Sequence, residues 1–192
     1  MANTMLDGLK ERIAKSAKMH QSVGVIVPVS NYADLHESLL SHMLTSKNDL
    51  FIYVSVTKTY DTITKIYPEI KDRGNIRFVD CISRAAGISK QAKNCAFVES
   101  PVMLEKILME LIHIYRTADH DGDTYVVLDS LSAFMIYNNA ETVKEFFQHL
   151  VNKTRAENIH TITIVIEEEM DDSMNRIIFL NDKIIKVKES FI

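Results

Sequence analysis

The sequence is short of the residues that mark several protein classes. Its two cysteines, Cys81 and Cys95, are too few for a disulfide framework, and no Cys-x-x-Cys pair indicates a zinc site. Five glycines and three prolines leave no room for flexible linkers or low-complexity tracts. Because two cysteines cannot form a disulfide framework, the predicted location is a reducing compartment, the cytoplasm.

Long apolar runs and an excess of positive charge are also missing. No segment approaches the roughly 20 apolar residues that a transmembrane helix needs, and the charged start of the chain is unlike a signal peptide. The formal net charge of −4 gives no general reason to expect nucleic acid as a partner. We therefore expect the protein to bind neither a membrane nor a nucleic acid.

What the sequence does contain is an alternation of buried strands and amphipathic helices. Its 192 residues are 46% hydrophobic and 25% charged, which suits one α/β domain with a sizeable core. Apolar runs predict strands at residues 23–29, 50–56, 76–80, 125–128 and 161–166, with a short one at 95–98. Helices between successive strands indicate a three-layer αβα architecture with a mainly parallel central sheet.

The helices are predicted from apolar residues at helical spacing and from capping residues. Ser30 or Asn31 is expected to cap the second helix, and Ser100 with Pro101 to begin a later one. The other helices are expected over residues 3–19, 59–67 and 139–152.

The chain is predicted to end in an antiparallel β-hairpin. Residues 176–180 and 183–187 are apolar runs that flank the turn residues Asn181 and Asp182. In domain terms, residues 1–22 form an N-terminal amphipathic helix and residues 23–192 a single α/β domain.

The strand that ends at Asp129 is the strongest functional signal. Ligands of open parallel sheets bind outside the carboxyl ends of the strands, so this carboxylate could hold a metal ion or a water molecule. The alternative is that Asp129 caps the following helix by accepting backbone N–H bonds, a role that Ser130 and Ser132 could share.

Three stretches together resemble the RecA/KaiC-like branch of the P-loop ATPases. TYVVLDSLSAF, at residues 124–134, resembles that family's Walker B strand; HTITIVIEEE, at 160–169, its next strand; and NRIIFLNDKIIKV, at 175–187, its closing antiparallel hairpin. The resemblance covers roughly residues 23–187. It implies a nucleotide cleft at the carboxyl edge of the sheet.

The phosphate-binding loop of that family is not recognisable here. The family needs GxxxxGK[ST] after the first strand, so that backbone N–H groups and a lysine hold the phosphates. Residues 28–35 read PVSNYADL instead, without glycine or lysine, and no acidic pair follows the second strand. Phosphoryl transfer would have little left to act through, because its catalysis is almost entirely positioning and charge stabilisation.

The resemblance and this departure together predict a non-catalytic, protein-binding or regulatory domain that contacts a protein partner or a second copy of itself. No catalytic residue and no cofactor are predicted. The alternative is a divergent ATPase that binds ATP weakly, with Mg²⁺ on Asp129 and the nucleotide against Ser30, Asn31, Tyr32 and Ser130. A DNA-linked regulator is a third option, which the acidic charge disfavours.

Three other groups of residues bear on function. The acidic run of Glu167, Glu168, Glu169, Asp171 and Asp172 is either a cation site or a solvated loop, and the loop is favoured because the run lacks EF-hand spacing. Met170 and Met174 beside these acids indicate a contact surface, whereas Cys81 and Cys95 are expected to be buried apolar residues.

Overall fold

The central feature of the fold is a seven-stranded sheet in which every strand pairing is parallel. The computed structural model describes residues 2–187. The strand order across the sheet is β4-β3-β2-β5-β6-β1-β7. The strands are β1 (Ser22–Val27), β2 (Leu50–Ser55), β3 (Ile76–Asp80), β4 (Cys95–Phe97), β5 (Thr124–Asp129), β6 (His160–Ile166) and β7 (Lys183–Lys186).

Helices cover both faces of this sheet. The helices are α1 (Ala2–Met19), α2 (Val29–Thr45), α3 (Tyr60–Ile66), α4 (Leu104–Thr117), α5 (Leu131–Tyr137), α6 (Ala140–Ala156) and α7 (Asp172–Ile178). One apolar core joins the sheet to α1, α2 and α3, and a second joins it to the four later helices. The three-layer αβα architecture is therefore present, as the sequence predicts.

The strands that lie within the sheet are buried on both faces, which explains their continuous apolar runs. All six residues of β2 and all six of β5 are buried. Residues that point to opposite faces of one strand enter different cores: Val54 lies in the core under α4 and α6, whereas Tyr53 lies in the core under α2.

Two predicted helix starts are wrong. α2 begins at Val29 with Pro28 at the capping position, so Ser30 and Asn31 lie inside its first turn and cap nothing. Pro28 has no backbone N–H, so it cannot donate a hydrogen bond at this position. Ser100 and Pro101 form a turn closed by a 3.0 Å bond from the Met103 N–H to the Ser100 carbonyl, and α4 begins only at Leu104.

The predicted C-terminal antiparallel hairpin is also wrong. Most of residues 176–180 belong to α7, whose N-terminus is capped by Asp171 accepting a 2.6 Å bond from the Met174 N–H. The buried side of α7 is formed by Met174, Ile177 and Ile178, which have the i, i+3, i+4 spacing of a helix.

β7 runs parallel to β1 because its start is bonded to the start of β1. The carboxylate of Asp182 accepts 2.9 Å bonds from both the backbone N–H and the hydroxyl of Ser22. Arg155 of α6 donates to the same carboxylate at 2.6 Å. The chain therefore returns through α7 to the same end of the sheet before it adds its last described strand.

The N-terminal helix packs its apolar side on a face of the sheet, over interior strands and not on an edge strand. α1 contacts α2, β1 and β6, and its residues Ile13 and Ala17 are buried. Among residues 2–187, no helix is both long and apolar enough to cross a membrane.

Candidate functional site: a buried carboxylate under two tyrosines

The site lies at the carboxyl ends of β2 and β5, where the order of strands reverses. From β2 the chain proceeds outwards through β3 to β4, and from β5 it proceeds in the other direction to β6. The register pairs Ser55 with Asp129 at this edge. Such reversal points are where open α/β sheets bind ligands.

Asp129 is fully buried, and its carboxylate accepts hydrogen bonds from two tyrosines. The Tyr32 hydroxyl lies 2.7 Å from Oδ1 and 2.8 Å from Oδ2 of Asp129. The Tyr53 hydroxyl donates to Oδ2 from the neighbouring strand. Tyr53 pairs with Val127, so Asp129 is its diagonal neighbour on the same face of the sheet. Protein groups thus satisfy the carboxylate without any ligand.

Tyr32 connects the first turn of α2 to the loop that follows β2. Its hydroxyl lies 2.9 Å from Oγ1 of Thr57. The ammonium of Lys58 lies over its ring, 4.8 Å from the ring centroid. At this distance a lysine is attracted by the negative face of an aromatic ring. Tyr32 is therefore fixed on both sides above Asp129.

The electrostatics of this cluster follow from its burial. Burial raises the pKa of Asp129, although the hydrogen bonds from Tyr53 and Tyr32 and the charge of Lys58 oppose the shift. Burial, followed by the charge of Asp129, raises the pKa of Tyr32 and of Tyr53, so both hydroxyls keep their protons. Burial lowers the pKa of Lys58 against the opposing effect of Asp129.

The N-terminus of α2, where the resemblance places phosphate groups, is occupied by a carboxylate of the protein itself. The Val29 N–H lies 3.0 Å from Oε1 and 2.9 Å from Oε2 of Glu168. Helix N-termini attract anions through their free N–H groups and the helix dipole. At the start of α2, the carboxylate of Glu168 lies in the position that such an anion would take. Ser30 and Asn31 bond to each other, with the Ser30 hydroxyl 3.0 Å from the Asn31 Oδ1.

Of the three residues for which the sequence suggested a capping role, only Ser130 caps the following helix. Ser130 caps α5 by accepting a 3.2 Å bond from the Ala133 N–H. Ser132 accepts a 3.2 Å bond from the Ile166 N–H and so joins α5 to the end of β6. The peptide bond between Asp129 and Ser130 is cis. Because Ser130 is the cap and the Asp129 carboxylate bonds to the two tyrosines, the capping role suggested for Asp129 is wrong.

Solved structures with the same architecture identify the fold. The KaiC-like protein PH0186 from Pyrococcus horikoshii OT3 superposes with a TM-score of 0.60 at 8% identity, over 86% of this chain and 70% of that one. The protein PH0321 from Pyrococcus horikoshii, solved with an unknown peptide, superposes with a TM-score of 0.63 at 13% identity, over 89% and 78%. The chain has a RecA/KaiC-like fold. No protein-family model and no curated protein matches its sequence.

Within this RecA/KaiC-like fold, several residues that build the site were not singled out from the sequence. They are Tyr53, Thr57 and Lys58, whereas Glu168 was weighed only as part of the acidic run and not as a partner of α2. Thr57 and Lys58 follow the end of β2, which is the one local feature that could have indicated a role. The residues that they contact are distant in the sequence, so the local pattern does not identify them. Tyr53 in particular lies in the middle of a strand and is indistinguishable there from a core residue.

A second buried aspartate organises the neighbouring strand end. Asp80, at the end of β3, accepts bonds from the backbone N–H groups of Tyr60 at 2.7 Å, Ile82 at 2.9 Å and Ser83 at 2.8 Å. The Ser83 hydroxyl donates to it at 2.6 Å. With four donors already in place, Asp80 serves to hold the start of α3 and the loop after β3.

The acidic run after β6 is held by contacts within the protein. Glu167 lies 2.5 Å from the ammonium of Lys186, Glu168 binds the start of α2, and Asp171 caps α7. Within residues 2–187, no group of three or more His, Cys, Asp or Glu side chains is arranged to hold a metal ion.

The methionine prediction is wrong for one residue. Met174 is buried in the core, and the half-buried Met170 packs against that core, so the two do not form an exposed surface. Cys81 is buried as predicted, and burial raises the pKa of its thiol, whereas Cys95 is half-buried.

Proposed function

We propose that this protein is a non-catalytic RecA/KaiC-like domain that works by binding a protein partner. The observation that carries the proposal is the double occupation of the nucleotide cleft. Tyr32 covers the buried carboxylate of Asp129, and Glu168 binds the N-terminus of α2. A magnesium ion on Asp129 would have to displace two tyrosine hydroxyls, and a phosphate at α2 would meet the charge of Glu168.

The chemistry of phosphoryl transfer supports the same conclusion. Such catalysis depends on groups that hold phosphate oxygens and on a residue that positions the attacking water. The residues at the site supply neither, because Asp129 is buried under Tyr32 and the nearby Lys58 lies over the Tyr32 ring. A domain of this kind is best suited to a regulatory role, in which the fold presents a surface.

An exposed apolar patch supports a protein partner. Val102 and Met103 precede α4, and Ile136 and Tyr137 end α5; their exposed fractions lie between 40% and 72%. A 3.3 Å bond from the Asn138 side-chain amide to the Pro101 carbonyl joins the two segments. Exposed apolar side chains that are close together are typical of interaction sites. The peptide in the PH0321 structure supports protein binding in the same way.

Calorimetric titration with Mg·ATP tests the proposal directly. We expect no heat beyond dilution at millimolar nucleotide, for the wild type and for Asp129→Asn alike. The competing function is a divergent ATPase that uses Asp129 for Mg²⁺. Saturable binding that Asp129→Asn abolishes, accompanied by release of phosphate, would establish that function instead.

A further inference from the structure

A groove between α4 and α6 lies on the opposite face of the sheet from Tyr32. Its volume is about 800 Å³. One wall is the side of α4 that carries Leu108, Met109, Ile112 and Arg116, and the other is the side of α6 that carries His149 and Lys153. Met109 is 71% exposed, so a large and flexible apolar side chain is exposed to solvent at the groove.

The charge along this groove has one sign. Its lining residues include Arg116 and Lys153 but no carboxylate, although the chain as a whole has a net charge of −4. Arg116 and Lys153 both contact the same Oε1 of Glu157, at 3.4 and 2.9 Å. Two cations share one carboxylate there, which leaves positive charge unbalanced at that end of the groove.

We propose that this groove binds an acidic amphipathic helix of a partner protein, an inference that rests on the proposed function. The apolar residues of such a helix would lie on Leu108, Met109 and Ile112, and its carboxylates beside Arg116 and Lys153. Helices commonly bind in grooves of this kind through residues at positions i, i+3, i+4 and i+7. Methionine suits the contact because its side chain adapts to different surfaces.

The charges and contacts argue against a second copy of the chain as the occupant. Packing two such grooves about a twofold axis that runs along the groove would bring the cations of both copies together. The acidic run after β6 is the densest source of negative charge in the chain. Its residues Glu167, Glu168 and Asp171 are already bound to Lys186, Val29 and Met174. The complementary charge is therefore assigned to a partner protein, and self-association is an outcome of the test below.

Fluorescence anisotropy with two synthetic helical peptides tests this inference. The first probe has leucines at i, i+3, i+4 and i+7 and glutamates on its flanks, and the second has lysine in place of every glutamate. We expect the acidic probe to bind the wild type in a salt-dependent manner and the basic probe not to bind. Equal binding of both probes, or no binding of the acidic one, would overturn the inference.

A pair of charge reversals on α6 locates the contact. Lys153→Glu should weaken binding of the acidic probe by about tenfold or more and should permit binding of the basic probe. Lys144→Glu is the matched control, because Lys144 is also on α6 and also forms an ion pair, with Glu141, but lies outside the groove. Equal effects of the two variants would mean that the contact is elsewhere.

Two further measurements separate the possible failures. Dimerisation that increases with concentration and is lost in Lys153→Glu would show that the groove binds a second copy, which would overturn the partner assignment. Titration of the same samples with Mg·ATP tests the proposed function separately. Nucleotide turnover would end that function, whereas silence towards both ATP and the acidic probe would end only the inference about the groove.

Discussion

The imidazole of His36 meets the ring of Tyr53 edge-on, with the two ring centroids 6.0 Å apart. His36 is 4% exposed, and its Nε2 has no hydrogen-bond partner among the described residues. Burial, and then the charge of Lys58, lower the pKa of His36 from its ordinary 6.5 to about 4. The side chain that supports Tyr53 behind Asp129 is therefore a neutral imidazole at physiological pH.

Acid is expected to destabilise the protein through His36. Between pH 6.5 and about 4 the unfolded chain binds a proton that the folded chain does not, so the free energy of unfolding rises with pH across this window. The full shift corresponds to about 3 kcal/mol. Urea unfolding at several pH values measures it, and His36→Phe should flatten the dependence. The exposed His149→Gln should preserve the slope, and an unchanged slope in His36→Phe would contradict the prediction.

Asp129 is expected to act on the pH dependence in the opposite sense. Its pKa lies above the ordinary 3.8, chiefly because of burial. Above pH 3.8 the folded chain keeps a proton that the unfolded chain has lost, so the free energy of unfolding falls as pH rises towards the folded pKa. Asp129→Asn removes this term, and its stability should rise more steeply than that of the wild type from pH 4 to 6.5. The exposed Asp119→Asn serves as the control, and parallel curves would refute the assignment.

The two tyrosines over Asp129 are expected to stabilise the fold together. Tyr32→Phe and Tyr53→Phe each remove a donor to a buried carboxylate, which should cost about 1–3 kcal/mol. Because both hydroxyls serve one carboxylate, the double variant should depart from additivity by about 0.5 kcal/mol or more. Urea unfolding of the wild type, the two single variants and the double variant at neutral pH measures this departure from additivity. Tyr125→Phe is the control, because its hydroxyl makes only a long contact, 3.5 Å, with the carboxylate of Asp123. Additive effects of Tyr32→Phe and Tyr53→Phe would mean that the two tyrosines act independently.

The sheet could be predicted because its evidence is local. Strands buried on both faces give continuous apolar runs, and β5 with its terminal Asp129 is visible in the sequence alone. The sequence wrongly predicts a hairpin over residues 176–187 because Asn181 and Asp182 lie between two apolar segments, as turn residues of a hairpin do. The first segment is helical, with Asp171 as its cap, and the second is fixed by the distant contact between Asp182 and Ser22.

The sequence points to Asp129 and Tyr32 as residues of the site, but not to the contact between them. The sequence places Asp129 at a strand end, but the identity of its partners depends on strand register and on where α2 begins. Tyr53 reaches the carboxylate diagonally across two paired strands, and Tyr32 does so because α2 begins at Val29. Contacts of this kind join residues far apart in the chain, such as Tyr32 and Asp129, and no local pattern records them.

Glu168 is expected to stabilise the start of α2. Glu168→Ala leaves the Val29 N–H without its partner, which should lower the free energy of unfolding by about 1 kcal/mol, the usual cost of losing a helix cap. The adjacent Glu169→Ala should change it by less than about 0.5 kcal/mol, as exposed substitutions usually do. Urea unfolding of the two variants at neutral pH gives the comparison, and equal losses would show that Glu168 does not act through α2.

Sulfate gives a second readout of the same contact. If Glu168 occupies an anion position, millimolar sulfate should recover part of the stability lost in Glu168→Ala, because the freed helix N-terminus attracts the anion. Sodium chloride at equal ionic strength controls for screening. The wild type and Glu169→Ala should respond alike to the two salts. An identical response of Glu168→Ala to sulfate and chloride would show that its loss leaves no anion position at α2. It would remove one of the two observations that carry the proposed function.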